Sequence, residues 1–164
     1  MTRRGARLAR PLGFTFVELM LTLALMAVLA SVAVPMLQVM HQRQREQALA
    51  AALREIRQAL DEHRRAADQG RIAVRAGDSG FPRSLTALVD GVVDERSPQK
   101  LRIYFLRRLP RDPMVVDGSL SAEQTWGKRS YASPPDDPRE GDDVFDVFSR
   151  APGTGRNGIA YREW

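Results

Sequence analysis

Cysteine is absent from all 164 residues. That excludes a disulfide framework and any thiolate zinc site, and leaves packing, a metal or assembly with neighbours to stabilise an exported domain. Histidine is nearly absent too. His41 and His63 are the only two, expected on the exposed surface of a helix and too far apart to chelate one ion. The chain contains no P-loop and no located Ser, His and Asp arrangement, so a catalytic reading has nothing to stand on. Gly153-x-Gly155-x-x-Gly158 matches the letters of a dinucleotide motif. Too few residues come after it for the helix and second strand that would hold a pyrophosphate, and these glycines are expected to form turns.

The folded part also lacks an excess of charge. The chain carries 25 basic and 20 acidic residues. Four of the basic ones, Arg3, Arg4, Arg7 and Arg10, lie in the first ten positions, leaving 21 against 20 in the remainder. The high isoelectric point therefore misleads, and nucleic-acid binding loses its basic footprint. Clustered arginine ahead of an apolar segment holds a terminus in the cytoplasm and places the downstream chain on the far side of the membrane.

What is present is an almost uninterrupted apolar run over residues 19–37, with a single acid, Glu18, at its front edge. Residues 14–37 make 24 positions, enough as a helix to cross a hydrocarbon core of about 30 Å. An ionisable group at the depth of Glu18 is costly unless a partner neutralises it or it stays near the interface. Pro35 lies close to the exit of the span, where a kink costs least. A cleavable signal peptide is the rival, with Ala30-Ser31-Val32-Ala33 as its cut site. Its apolar region is typically about 7–15 residues, shorter than this run, which flows into more helix.

From Gln38 the sequence turns polar but stays helical. Leu49, Leu53, Ile56 and Leu60 fall at spacings of four, three and four, while Arg54, Glu55, Arg57, Gln58 and Asp61 take the other faces. The stripe is to be covered by the C-terminal half of the chain, by a partner helix, or by both. Residues 70–80 read as a loop, and Ser84 as the N-cap of a short helix over 85–89 that Asp90-Gly91 ends. Residues 101–109 fit helix or strand, closed by Pro110-Arg111-Asp112-Pro113. Residues 129–133 and 144–149 alternate as short strands. The expected fold class is α+β: a long N-terminal helix, transmembrane in its first half, packed on a small C-terminal antiparallel sheet.

Gly13-Phe14-Thr15-Phe16-Val17-Glu18-Leu19 resembles the processing site of type IV prepilins and pseudopilins. The resemblance implies cleavage between Gly13 and Phe14 by a prepilin peptidase and N-methylation of Phe14. It also implies pairing of Glu18 with the free amine of Phe14 on a neighbouring subunit. The implied organisation is a leader over 1–13, a filament-core helix over 14–37, its periplasmic half over 38–68 and a small head over 69–164.

Later segments are similar to the major pseudopilin of type II secretion: Leu109-Pro110-Arg111-Asp112-Pro113, then Trp126-Gly127 with Ser130-Tyr131, then Asp146-Val147-Phe148-Ser149. Residues 114–125 intervene where that family runs directly from Asp-Pro to Trp-Gly, as an inserted loop. The implied partners are further copies of the chain, other pseudopilins, the peptidase, an inner-membrane assembly platform and membrane lipid, with a periplasmic pseudopilus as the product. The family's calcium would sit in the loop at 150–160, which has no carboxylate here. Hard cations want several oxygens, usually including carboxylates. No cofactor is expected, and the remaining calcium candidates, Asp142, Asp143 and Asp146, read with Asp136 and Asp137 as solvated turn residues. Two other readings stay open: a minor pilin or tip subunit that captures substrate, a surface or DNA, and a signal-anchored hydrolase.

Overall fold

The computed structural model describes residues 13–164, and of residues 32, 34 and 35 the backbone alone. The chain divides into two compact units, residues 1–42 and 43–164, and helix α1, Phe16–Asp68, contributes to both.

In the first unit α1 starts on a side-chain cap. The Glu18 amide donates to Thr15 Oγ1 at 3.2 Å, and the Leu19 amide to the Thr15 carbonyl at 3.1 Å. The first bond satisfies a donor that a helix start leaves orphaned, the second is the first turn's own i→i−4 bond, and Glu18 in the first turn complements the positive end of the helix dipole. The apolar stretch beyond it has a mean hydropathy of 2.3 over its best window, and none of that window is buried. Its hydroxyls are internally satisfied: Thr22 Oγ1 donates to the Leu19 carbonyl at 2.9 Å and Ser31 Oγ to the Val28 carbonyl at 2.7 Å. A hydroxyl bonded to its own helix costs far less in an apolar medium than a free one. The helix is long and apolar enough to cross a membrane.

In the second unit Leu49, Leu53, Ile56 and Leu60 are all at most 2% exposed. The chain's own C-terminal half covers them, through Leu85, Leu88, Leu106, Trp126, Val144, Val147 and Tyr161. The helix ends at Asp68 because Gly70 turns left-handed, φ +67°. Its amide bonds the Ala67 carbonyl at 2.8 Å while the Arg71 amide bonds that of Ala66 at 2.9 Å, closing the last turn.

Beyond α1 lie α2 (Ala87–Asp90), β1 (Val92–Val93), β2 (Arg102–Ile103), β3 (Trp126–Arg129) and β4 (Asp146–Ser149). Two separate two-stranded antiparallel sheets result, β1 with β2 and β3 with β4, the latter in register Trp126↔Ser149 to Arg129↔Asp146. A long N-terminal apolar helix followed by small antiparallel sheets is the expected α+β class.

Several details differ from the sequence expectation. Two small sheets replace one. Strand β3 begins three residues before the expected 129–133, and Ser130 opens a turn, its carbonyl accepting from the Ser133 amide at 3.1 Å. Ser84 caps nothing: its hydroxyl lies 2.9 Å from Thr86 Oγ1, and α2 starts two residues later. No side chain caps α2, and Glu123 instead accepts from the Leu85 amide ahead of it at 3.2 Å. Of residues 101–109 only two are strand, because the Phe105 and Leu106 amides both turn to the Leu88 carbonyl at 3.0 Å.

Candidate functional site

Gly13 and Phe14 precede α1 and are exposed, Phe14 at 77%. Among the described residues, nothing lies within 4 Å of a Cβ placed on Gly13. One turn on, Glu18 is exposed on the first turn of the helix, immediately ahead of the apolar stretch. The Thr15 cap holds this turn. The result is a carboxylate held at the tip of a greasy rod, within one helical turn of Phe14. The arginines of the first ten residues lie outside the described residues, as does the side chain of Pro35. At Pro35 the backbone stays helical.

The motif segments of the head, far apart in sequence, meet around Trp126. Its indole, fully buried, donates from Nε1 to the Pro110 carbonyl at 2.9 Å. Asp112, 1% exposed, receives the Met114 amide at 2.8 Å on Oδ1 and the Ser149 hydroxyl on Oδ2, and its own amide donates to Thr125 Oγ1 at 3.1 Å. Asp112 therefore ties the 110–113 turn to the end of β4 through its carboxylate and to Thr125, just ahead of β3, through its amide. The segment 114–125 leaves this knot and returns to it, so its length is absorbed without disturbing the strands.

The acidic candidates separate into three environments. Asp142 is exposed. Burial pushes the Asp143 carboxyl up, but hydrogen bonds from the Ser79 and Ser130 hydroxyls and the Tyr131 amide outweigh it and hold the pKa below its usual value. Asp146 is bracketed by Arg57 at 2.8 Å and Arg129 at 3.5 Å. Two guanidiniums around one carboxylate leave a local excess of positive charge that disfavours a further cation. Among the described residues no three His, Asp or Glu side chains are placed to hold a metal ion. The donor set does not fit calcium at these three aspartates.

His63 differs most from expectation. It is 6% exposed rather than on the surface, with Nδ1–H donating to the Gly80 carbonyl at 3.0 Å and its ring 5.3 Å from that of Phe105. Burial lowers its pKa, only partly offset by the Gly80 bond. Helical periodicity could have found it, since 63 comes after 56 and 60 on the buried stripe. His41 is exposed on α1. The glycines at 153, 155 and 158 form a tight reversal, with the Gly158 amide bonded to the Gly155 carbonyl at 2.9 Å and the Gly155 amide to that of Ile159 at 2.8 Å.

Compared with known families, residues 9–34 match the prokaryotic N-terminal methylation motif. This match covers the junction at Gly13, Glu18 and most of the apolar run, and it supports a type IV pilin-like protein. Neither the curated proteins nor the solved structures give a match.

Proposed function

We propose that this chain is a structural subunit of a pilin-like filament, a pseudopilin of the type II secretion kind. The observation that carries the reading is the coupling of the methylation motif over 9–34 to an apolar helix window of which nothing is buried. Such a surface needs lipid before assembly and sister helices afterwards, because each exposed apolar side chain left in water costs on the order of 1.5–3 kcal/mol.

A prepilin peptidase cuts between Gly13 and Phe14, and Phe14 becomes the methylated N-terminus. Residues 14–37 then anchor the subunit in the inner membrane, with the leader on the cytoplasmic side and the head in the periplasm. On assembly, Glu18 of one subunit pairs with the Phe14 amine of its neighbour. In a low-dielectric layer the two charges neutralise each other's burial cost and set the helix register. The knot of Pro110, Asp112, Trp126 and Ser149 supports the pseudopilin kind, since it joins the same segments that carry the resemblance. The subunit's work is assembly rather than catalysis, and a separate motor supplies the energy for extraction from the membrane. Its partners are other copies, other pseudopilins, the peptidase and the assembly platform.

Mass spectrometry of the mature protein tests the reading. An N-terminal methylated Phe14 is expected; an uncut chain, or a chain trimmed behind Ala33, overturns it.

A further inference from the structure

A cleft of about 540 Å3 opens on the head between the 77–83 loop and the turns at 130–132 and 141–143. Its apolar walls are Phe81 and Tyr131, with ring centroids 6.0 Å apart and planes 25° from parallel. Both pack edge-on against Phe145, at 5.0 and 5.4 Å. Arg64 already lies over Phe81 at 5.7 Å, while Tyr131 is 60% exposed. Three carboxylates line the cleft. Asp78 is matched by Arg83 at 3.3 Å. The partners of Asp143 are all neutral: the Ser79 hydroxyl, the Ser130 hydroxyl at 2.7 Å and the Tyr131 amide at 2.9 Å. Asp142 is exposed, with no partner among the described residues. Two carboxylates without a cation, beside an open aromatic face, make a site for a guanidinium.

The head presents such a group elsewhere. Residues 96–111 hold six basic residues and no acid. Lys100 pairs with Glu95, Arg102 with the carbonyls of Asp90 and Gly91, and Arg111 with those of Asp117 and Leu120. Arg96 is exposed with no side-chain partner among the described residues, and the same holds of Arg107 and Arg108. Phe105, two residues before them, packs on His63, and Phe81 of the cleft lies under Arg64. His63 packs on Phe105 and also bonds the Gly80 carbonyl beside Phe81, so cation and cleft both anchor at residues 63–64 of α1.

We propose that the Phe81–Tyr131 cleft of one copy receives Arg107 or Arg108 of a second copy of this chain. The contact joins two different surfaces, so repetition without closure generates an open filament rather than a dimer. The proposal rests on the filament reading above and assigns its head-to-head contact.

The chain's lack of cysteine makes the test clean. Full-length Arg108→Cys and Asp142→Cys chains are co-expressed in cells that assemble the filament and treated with a short bismaleimide. A covalent dimer is expected from the pair and from neither chain alone, and it is lost when both also carry Glu18→Ala. Charge reversal by R107E/R108E is expected to abolish sedimentable polymer, and adding Asp142→Arg to restore it. Absence of the dimer, or undiminished polymer from R107E/R108E, while parental polymer still depends on Glu18, overturns the cleft contact and leaves the filament reading standing. Cross-linking of Asp142→Cys only to some other protein overturns it equally. A parental chain that is neither processed at Gly13 nor sedimentable removes both.

Discussion

Arg57 on α1 donates from Nε to Asp146 Oδ1 at the start of β4, 2.8 Å away and 89 residues on in sequence. The same guanidinium reaches the Val147 carbonyl at 3.1 Å and the Trp164 carbonyl at 2.9 Å. One side chain thus ties the long helix to the last strand and to the C-terminal segment through three acceptors, a geometry that a single ammonium cannot reproduce.

Arg57→Ala is expected to destabilise the head by about 1–2 kcal/mol, a value kept low because the pair is partly open to solvent. Arg57→Lys recovers only part of the loss. Urea unfolding of the full chain in detergent, followed by tryptophan fluorescence, checks both. Equal stability of all three proteins would show the bonds to be dispensable.

Asp112→Ala removes the acceptor for the Met114 amide and the Ser149 hydroxyl inside a region with 1% exposure at Asp112. The orphaned donors are expected to cost about 2–3 kcal/mol. Because Trp126 sits beside the same knot through Pro110, its emission should shift to the red as well. Unchanged emission together with unchanged stability would refute the role assigned to this carboxylate.

Head stability should fall as pH drops below about 6.5, the ordinary value for histidine. His63 has a lowered pKa when folded, so the unfolded chain binds the proton first, and stability is lost from that pH downward with a slope of at most about 1.4 kcal/mol per unit. The charged groups lining the neighbouring cavity, Asp78 and Arg83, pair with each other. His63→Gln keeps an N–H for the Gly80 carbonyl and is expected to flatten the profile as pH falls from about 6.5. Asp94 and Asp143, both lowered from 3.8, act in a separate and more acidic window. Their contribution is present above that value and lost as pH falls through it toward their folded pKa values. A profile that His63→Gln leaves unaltered sinks the assignment.

Glu18→Ala should insert in the membrane and be processed like the parent, yet fail to enter sedimentable polymer. The cap bond of Thr15 goes to the backbone amide of residue 18, so the helix start survives the change. Assembly at the parental level would remove the proposed register role.

Much of α1 was legible because its signals are local. The apolar run declares a helix long and apolar enough to cross a membrane by composition alone, and the spacing of Leu49, Leu53, Ile56 and Leu60 declares a buried stripe by periodicity. Gly70 and Gly91 end their helices where the chain needs a positive φ. The strands were less legible. Two-residue strands such as β1 and β2 carry no period to read, and β3 opens on Trp126-Gly127 because the Phe148 ring lies where a Cβ on Gly127 would stand, a cross-strand fact. Ser84 has the chemistry of a cap but not the position, since the helix starts at Ala87 and the Ser84 hydroxyl turns to Thr86 Oγ1.

Sequence alone determined the helix, its apolar front half with Glu18 at its start, and the α+β class, because the signals for each lie in neighbouring residues. Tertiary structure alone decided which carbonyl and which ring His63 meets, that the acids at 142, 143 and 146 part into an exposed group, a hydroxyl-bound group and an arginine-bound group, and that Trp126, Pro110 and Asp112 share one knot. Those outcomes depend on desolvation and on partners 13 to 89 residues away in the chain, and no local pattern encodes which distant group will supply the hydrogen bond.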